Sequence, residues 1–315
     1  MFGRFKRKEK ALLPVVRDET VTRRVFEKIE SKERNTVTQE AVPDSELPAE
    51  KPVCVYHLSH IGTREYQQDA CFVSHGEYPY TFAILCDGMG GMTAGEEASH
   101  FVAEKLGENL YGLDVPEEIP ILLEMAVYEI NREILQKWEQ GRTGTTLAAA
   151  VLWGNQLYWI SAGDSRIYIW RKNELVQITR DHNYALQLAQ LVKQQKISEQ
   201  EASEDPQREA LISYMGIPRL EVFDKNQTAF ILEDGDILLL CSDGLTKVLS
   251  DDEICEILKL PGDAKAKAEC LICQAMLPDG LPRDNTTVVV ITCPFSQEAG
   301  EENREGEKAY ETGEM

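Results

Sequence analysis

Four aspartates, Asp69, Asp87, Asp243 and Asp284, stand far apart along the chain at the ends of apolar runs, and three of them precede glycine or asparagine. That pattern reads as strand ends delivering carboxylates to a shared metal site. It constrains the fold strongly, because strands distant in sequence must then converge at one point.

The runs between the aspartates have the form this requires. Residues 53–58, 70–74 and 81–86 are short, β-branched or aromatic segments bounded by turn residues, which reads as strands. Two helices are predicted next. Ala94, Ala98, Phe101, Val102, Leu106 and Leu110 recur at helical spacing, as do Ile119, Leu122, Leu123, Ala126, Val127, Ile130, Ile134 and Trp138. Short strands over 145–153, 156–161, 167–170 and 175–178 read as an antiparallel meander with turns at Gly154-Asn155 and Lys172-Asn173. A polar, helix-favouring insert runs from about 181 to 225 and is broken by Pro206, Gly216 and Pro218. Strands at 227–232 and 236–241, helices at 251–260 and 264–275, and a last strand at 286–292 complete the pattern. Strands in clusters and helices in pairs, without strict βαβ alternation, indicate an α+β fold: two antiparallel sheets face to face with helices outside, a four-layer α-β-β-α sandwich. Periodicity alone leaves other α+β arrangements open.

Composition narrows the function classes. The chain has 315 residues and is 43% hydrophobic, enough for one large core. Its longest apolar stretches fall far below the roughly 20 residues of a membrane-spanning helix. Basic residues run to Lys10 and no apolar h-region follows, unlike a secretory signal, so a cytoplasmic protein is expected. Of the net charge of −21, residues 1–50 contribute +1 and residues 296–315 contribute −5, leaving −17 between them. Such a surface repels nucleic acid. The eight cysteines mostly lie inside apolar runs, which argues against a disulfide scaffold. Cys270 and Cys273 form a lone C-x-x-C around Leu271-Ile272, read as helix packing rather than zinc or redox chemistry. The domain is placed at 51–295. A charged arm over 1–50, ending in a Pro- and Glu-containing linker, precedes it, and an acidic, disorder-prone tail over 296–315 follows.

Five blocks carry the chemistry: Gly62-Thr63-Arg64-Glu65-Tyr66-Gln67-Gln68-Asp69, Asp87-Gly88-Met89-Gly90-Gly91, Gly163-Asp164-Ser165-Arg166, Ser242-Asp243-Gly244 and Asp284-Asn285-Thr286-Thr287. Singly, each Asp-Gly is also a common turn signal, and Asp234-Gly235 and Asp279-Gly280 are read as such turns. In this order and spacing the five blocks resemble the PP2C-type (PPM) metal-dependent protein phosphatases of bacterial type, over about residues 53–293. The resemblance implies hydrolysis of phosphoserine and phosphothreonine in proteins by a metal-bound hydroxide at a binuclear Mn²⁺ or Mg²⁺ centre, since hard oxygen ligands suit those ions. It implies that Asp87 bridges the two ions, the Gly88 carbonyl binds the second, and Asp243 and Asp284 complete the first-metal site. Asp69 and Gln68 would act through bound waters, and Arg64 would grip the substrate phosphate. Asp164, with Asp243, matches the third-metal position of bacterial relatives; the alternative is that Asp164 pairs with Arg166.

The resemblance further implies phosphoprotein substrates, a cognate serine/threonine kinase and a monomer, with the 181–225 insert as a flap beside the site. One departure stands out. Many relatives carry a histidine in or just after the Asp-Gly-x-Gly-Gly turn, and this chain has Met89 and Met92 there. Methionine transfers no proton. Two alternatives therefore remain: a catalytically weak metal-binding regulatory module that docks a signalling partner, or a phosphatase acting on phosphotyrosine or small phosphate esters.

Overall fold

A computed structural model describes residues 53–74, 79–90, 93–138, 143–277 and 280–294. The expected arm over 1–50 and tail over 296–315 lie outside the described residues, as do Met92 and Asp279.

Twelve strands among the described residues form two antiparallel sheets. The first sheet contains β1 (Cys54–His60), β7 (Arg166–Arg171), β8 (Glu174–Gln177), β11 (Asp236–Cys241) and β12 (Thr286–Cys293), in the order β1-β12-β11-β7-β8. The second contains β2 (Asp69–Val73), β3 (Tyr80–Gly90), β5 (Leu147–Trp153), β6 (Gln156–Ala162) and β10 (Phe230–Ile231), in the order β10-β6-β5-β3-β2. Two short strands join it, β4 (Thr143–Thr145) beside β3 and β9 (Asp224–Lys225) beside β6.

Three apolar layers explain why the central strands read as nearly unbroken hydrophobic runs. Leu238 and Leu240 of β11, Val289 and Ile291 of β12, Ala83 and Leu85 of β3 and Ala148, Ala150 and Leu152 of β5 meet between the sheets. The alternate residues face outward: Ile237, Leu239, Cys241, Val288 and Val290 pack with Ile254, Leu258, Ala268 and Leu271. Phe82, Ile84, Cys86, Ala149 and Val151 pack with Val102, Leu106, Leu123, Val127 and Ile130. Both faces are buried, so period-two alternation carries no polar partner. The covering helices are α1 (Thr93–Leu110) and α2 (Ile119–Lys137) on the second sheet, and α6 (Asp251–Lys259) and α7 (Ala264–Ala275) on the first. Helix α6 starts at a capping box in which Ser250 and Glu253 bond each other's backbone N–H groups. The layer order is thus α-β-β-α, as expected from the sequence.

Four features differ from the sequence reading. The expected meander divides: β5 and β6 pair in the second sheet, and β7 and β8 pair in the first. The chain crosses between sheets at Gly163-Asp164-Ser165, where Gly163 has φ +110. Strand β3 does not stop before Asp87 but continues to Gly90, because Gly88, Met89 and Gly90 find ladder partners in Thr145, Gly144 and Thr143. The strand expected at 227–232 shrinks to β10, since the Asn226 side chain bonds Trp159 N–H, Leu157 O and Thr228 O in place of a ladder. A four-residue helix, α5 (Asp243–Thr246), follows β11.

The 181–225 insert carries α3 (Tyr184–Lys193) and α4 (Glu199–Ser203) and returns to the core through the bridge Thr145↔Met215. All eight cysteines are free, and Cys86, Cys241 and Cys293 are buried. No described helix is long and apolar enough to cross a membrane.

Candidate metal centre

Asp69 opens β2, and the antiparallel register sets it directly opposite Asp87 on β3. Like charges facing across a strand pair repel one another. Their backbones are nevertheless pinned in place. Asp87 donates its N–H to Thr146 Oγ1 at 2.9 Å and accepts at its carbonyl from Thr145 Oγ1 and Thr146 N–H, both at 2.9 Å. Thr146 Oγ1 also pairs with Ser165 Oγ at 2.7 Å, which draws in the turn carrying Asp164. On the far side of that turn, Gly163 N–H donates to Nδ1 of the buried His182 at 3.1 Å.

Asp243 and Asp284 arrive from the first sheet. The Ser242 hydroxyl donates to Asp69 Oδ2 at 2.8 Å and accepts Thr287 N–H at 2.9 Å, so one side chain ties β2, the end of β11 and β12 together. Asp243 then begins α5, where the amide dipoles favour an acid. Gly244 lies so close to the Asn285 carbonyl oxygen that any Cβ would collide with it. Asp284 Oδ1 accepts Asn285 N–H at 2.9 Å. Asn285 donates through Nδ2 to Ile61 O at 2.9 Å and Tyr66 O at 3.0 Å, and its Oδ1 accepts Gln68 N–H at 2.9 Å. Those bonds hold the 61–68 loop, and with it Arg64, against the Asp284 segment. Thr63 N–H to Arg283 O, at 3.0 Å, reinforces the seam.

The electrostatics show how closely the acids are gathered. Burial, reinforced by Asp69, Asp243, Asp164 and Asp284, holds the Asp87 carboxyl well above the ordinary range. Burial pushes Asp69 up to about 6 in spite of the Ser242 bond. Asp164 is pushed up to about 7 by burial and then by Asp243 and Asp181. Five carboxylates therefore sense one another. Asp69 Oδ1 and Asp243 Oδ1 are buried with no hydrogen-bond partner. Unpaired anionic oxygens of this kind are costly unless a cation meets them, and hard oxygens suit a divalent one. The donor set fits such an ion.

Cationic side chains already engage part of the set. Lys247 Nζ lies 2.5 Å from Asp243 Oδ2 and 3.1 Å from Asp284 Oδ2, and Arg64 Nη2 lies 3.0 Å from the same Asp284 oxygen. As the side chains stand, no three His, Cys, Asp or Glu residues among the described ones converge closely enough to hold an ion together. The alternative partner for Asp164 is otherwise engaged, because Arg166 grips Asp181 through Nε at 2.9 Å and Nη2 at 2.7 Å.

The structure thus brings Asp69, Gln68, Asp87, Gly88, Asp243, Asp284 and Arg64 to one place, with Asp164 at its margin. Sequence reasoning did not single out Ser242, Thr146, Asn285 or Lys247. Ser242 and Asn285 adjoin the aspartates in sequence, and Lys247 stands four residues after Asp243, a spacing that signals an ion pair once a helix is expected there. Met89 is partly buried on β3, and its backbone pairs with Gly144. His60, the histidine nearest Arg64 in sequence, accepts Gly62 N–H on Nδ1 at 2.9 Å.

Comparison with known proteins places this geometry among relatives. A family model described as protein phosphatase 2C matches residues 58–267. The serine/threonine phosphatase stp of Listeria monocytogenes serotype 4b is 31% identical over 241 residues, covering 74% of this chain and 93% of that protein. Among solved structures, the S. agalactiae serine/threonine phosphatase superposes with a TM-score of 0.69 at 30% identity, over 76% of this chain and 99% of that one. The catalytic domain of the serine threonine protein phosphatase PstP in complex with 2 manganese ions gives a TM-score of 0.59 at 30% identity, over 76% and 97%.

Proposed function

The chain belongs to the protein phosphatase 2C family, and from that premise we propose that its aspartates form the metal centre and that Arg64 receives the substrate phosphate. The activity is metal-dependent dephosphorylation of serine and threonine residues in proteins. Asp87, Gly88, Asp243 and Asp284 are the proposed direct ligands of two ions, Mn²⁺ or Mg²⁺, with Asp69 and Gln68 acting through waters and Asp164 with Asp243 offering a third position. The observation that carries this reading is the register that sets Asp69 opposite Asp87, with buried, unpartnered oxygens on Asp69 and Asp243. Such a pair is costly to hold together unless a cation meets it.

Divalent ions held there would supply Lewis acidity, polarising the ester oxygens and easing loss of a proton from the attacking water. The chain's own residues do the rest. Ser242 holds the Asp69 carboxylate and Thr146 pins the Asp87 backbone on rigid strand ends, so little reorganisation accompanies the reaction. Arg64 is 57% exposed, which leaves guanidinium N–H groups beyond its Asp284 bond open to a phosphate dianion. Met89 and Met92 hold no proton for the leaving oxygen. Seryl and threonyl alkoxides therefore depend more heavily on an acid from elsewhere than phenolates do.

The 181–225 insert serves as the substrate-contacting flap. The catalytic domain is taken as 51–295, between a charged arm and an acidic tail. A cytoplasmic monomer opposing a serine/threonine kinase completes the proposal.

The test is hydrolysis of an aryl phosphate and a phosphothreonine peptide by the pure chain with Mn²⁺, with Mg²⁺ and with chelator, alongside Asp243→Asn. Turnover of both substrates is expected only with metal, and the variant should lose at least about a hundredfold in kcat/KM, the scale of removing a main electrostatic group. Full activity in Asp243→Asn would remove the ligand assignment. Silence of folded parent protein with every metal would favour the regulatory module instead.

A further inference from the structure

One ammonium group spans two of the acids assigned above to the metal. Lys247 caps α5, its backbone N–H donating to Asp243 O at 2.8 Å, so its side chain starts one turn from Asp243 on the same helix. Its Nζ reaches Asp243 Oδ2 at 2.5 Å and crosses to Asp284 Oδ2 at 3.1 Å. The two acids stand 41 residues apart in sequence and are partly buried, with side chains 18% and 24% exposed. Lys247 itself is 54% exposed. An ammonium so placed has solvent behind it and two carboxylates before it. It can leave toward solvent, because more than half of its side chain is already exposed. Asp243 Oδ1 stays buried and unpartnered beside this pair, so the lysine satisfies only one of the two oxygens. A purely structural ion pair of this kind would leave that oxygen costly and unexplained.

We propose that Lys247 is a built-in counter-cation that holds the Asp243–Asp284 pair together in the metal-free protein and yields it to the incoming divalent ion. Loading is then an exchange of cations: the ammonium, still protonated, swings into solvent as the dication takes the carboxylates. Lys247 keeps the acids from repelling one another before metal arrives, and it weakens metal affinity afterwards. The inference rests on the reading of Asp243 and Asp284 as metal ligands.

Calorimetric titration of the metal-stripped full chain with Mn²⁺, at fixed pH and ionic strength, compares the parent with Lys247→Met, Lys247→Arg and Asp243→Asn. Thermal unfolding of each protein is followed with and without saturating Mn²⁺. Lys247→Met should bind Mn²⁺ about tenfold tighter, as expected from removing one nearby charge in a partly solvated site. Lys247→Arg should stay near the parent. Without metal, Lys247→Met should unfold at a lower temperature than the parent, and the gap should close on saturation. Lys247→Gln provides the same comparison if the methionine variant aggregates. If Lys247→Met binds Mn²⁺ no tighter than the parent while Asp243→Asn loses binding, the lysine proposal is overturned and the ligand assignment stands. If Asp243→Asn binds as the parent does, the ligand assignment fails and the lysine proposal falls with it.

Discussion

Gly88 shows how much of the centre depends on a missing side chain. A Cβ there would strike the Gly95 carbonyl oxygen at the start of α1 and come within 2.7 Å of the Gln68 carbonyl oxygen. Both obstacles are backbone and cannot rotate away. Gly88→Ala is therefore expected to cost at least about 1–3 kcal/mol of stability, the range for forced overpacking, measured by chemical denaturation. An unchanged midpoint would mean that α1 shifts at no cost. The importance of this glycine is legible in the Asp-Gly-Met-Gly-Gly block, and so is that of Asp87, Asp243 and Asp284. The positioning groups are less legible: Asn285 reads as a turn residue, yet four of its bonds, including those to Ile61, Tyr66 and Gln68, anchor the loop that carries Arg64 and the Asp284 turn. A side chain that bonds backbone over 200 residues away leaves no local trace.

Elements differ in how visible they are for a similar reason. Helices α1, α2, α6 and α7 bury one face and show it as a period of 3.6. Helix α5 is a single turn beginning Asp-Gly, too short to show a stripe, and it is seated by the buried Leu245 in the outer apolar layer and by the close approach of Gly244 to Asn285. The 181–225 insert is held by similarly hidden contacts. Asn131 of α2 accepts Gly216 N–H on Oδ1 at 2.6 Å and donates through Nδ2 to Ile217 O at 3.1 Å, at a point where Gly216 has φ +102. Asn131→Ala leaves the Gly216 N–H and the Ile217 carbonyl without these partners in a buried place. A loss of about 1–3 kcal/mol is expected, read from urea midpoints; a loss below about 0.5 kcal/mol would mean that water replaces the amide.

At the scale of the molecule, the two sheets are joined by polar contacts as well as by the apolar layer between them. Arg180 follows β8 of the first sheet, and Asp224 begins β9 of the second. Asp224 accepts Arg180 N–H at 2.9 Å and receives the guanidinium at both oxygens, and His182 Nε2 faces it at 3.4 Å. Burial acts to raise the Asp224 carboxyl, but His182 and Arg180 outweigh it and hold the group well below the ordinary carboxylate range. As pH falls, the unfolded chain takes up this proton before the folded one. The stabilisation is therefore complete above about pH 4 and fades below it. Asp224→Asn should be less stable than the parent at neutral pH, and the gap should narrow between about pH 4 and pH 2. A gap that stays constant across that window would show that the carboxylate charge is not its source.

The sequence by itself determined what is local. Continuous apolar runs announced strands buried on both faces, helical stripes announced the outer layers, and Asp-Gly and Asp-Asn pairs announced which residues could supply carboxylates. Tertiary structure decided which strands became neighbours. The run over residues 145–178 reads as one meander and divides between two sheets, because β7 finds its partner in the distant β11 rather than in β6. It also set Asp69 against Asp87, tied Ser242 to Asp69, and placed one lysine across Asp243 and Asp284. Periodicity reports the surface that each segment must bury. The choice of the segment that buries it is a long-range competition among apolar faces, and the pairing of charges follows from its outcome.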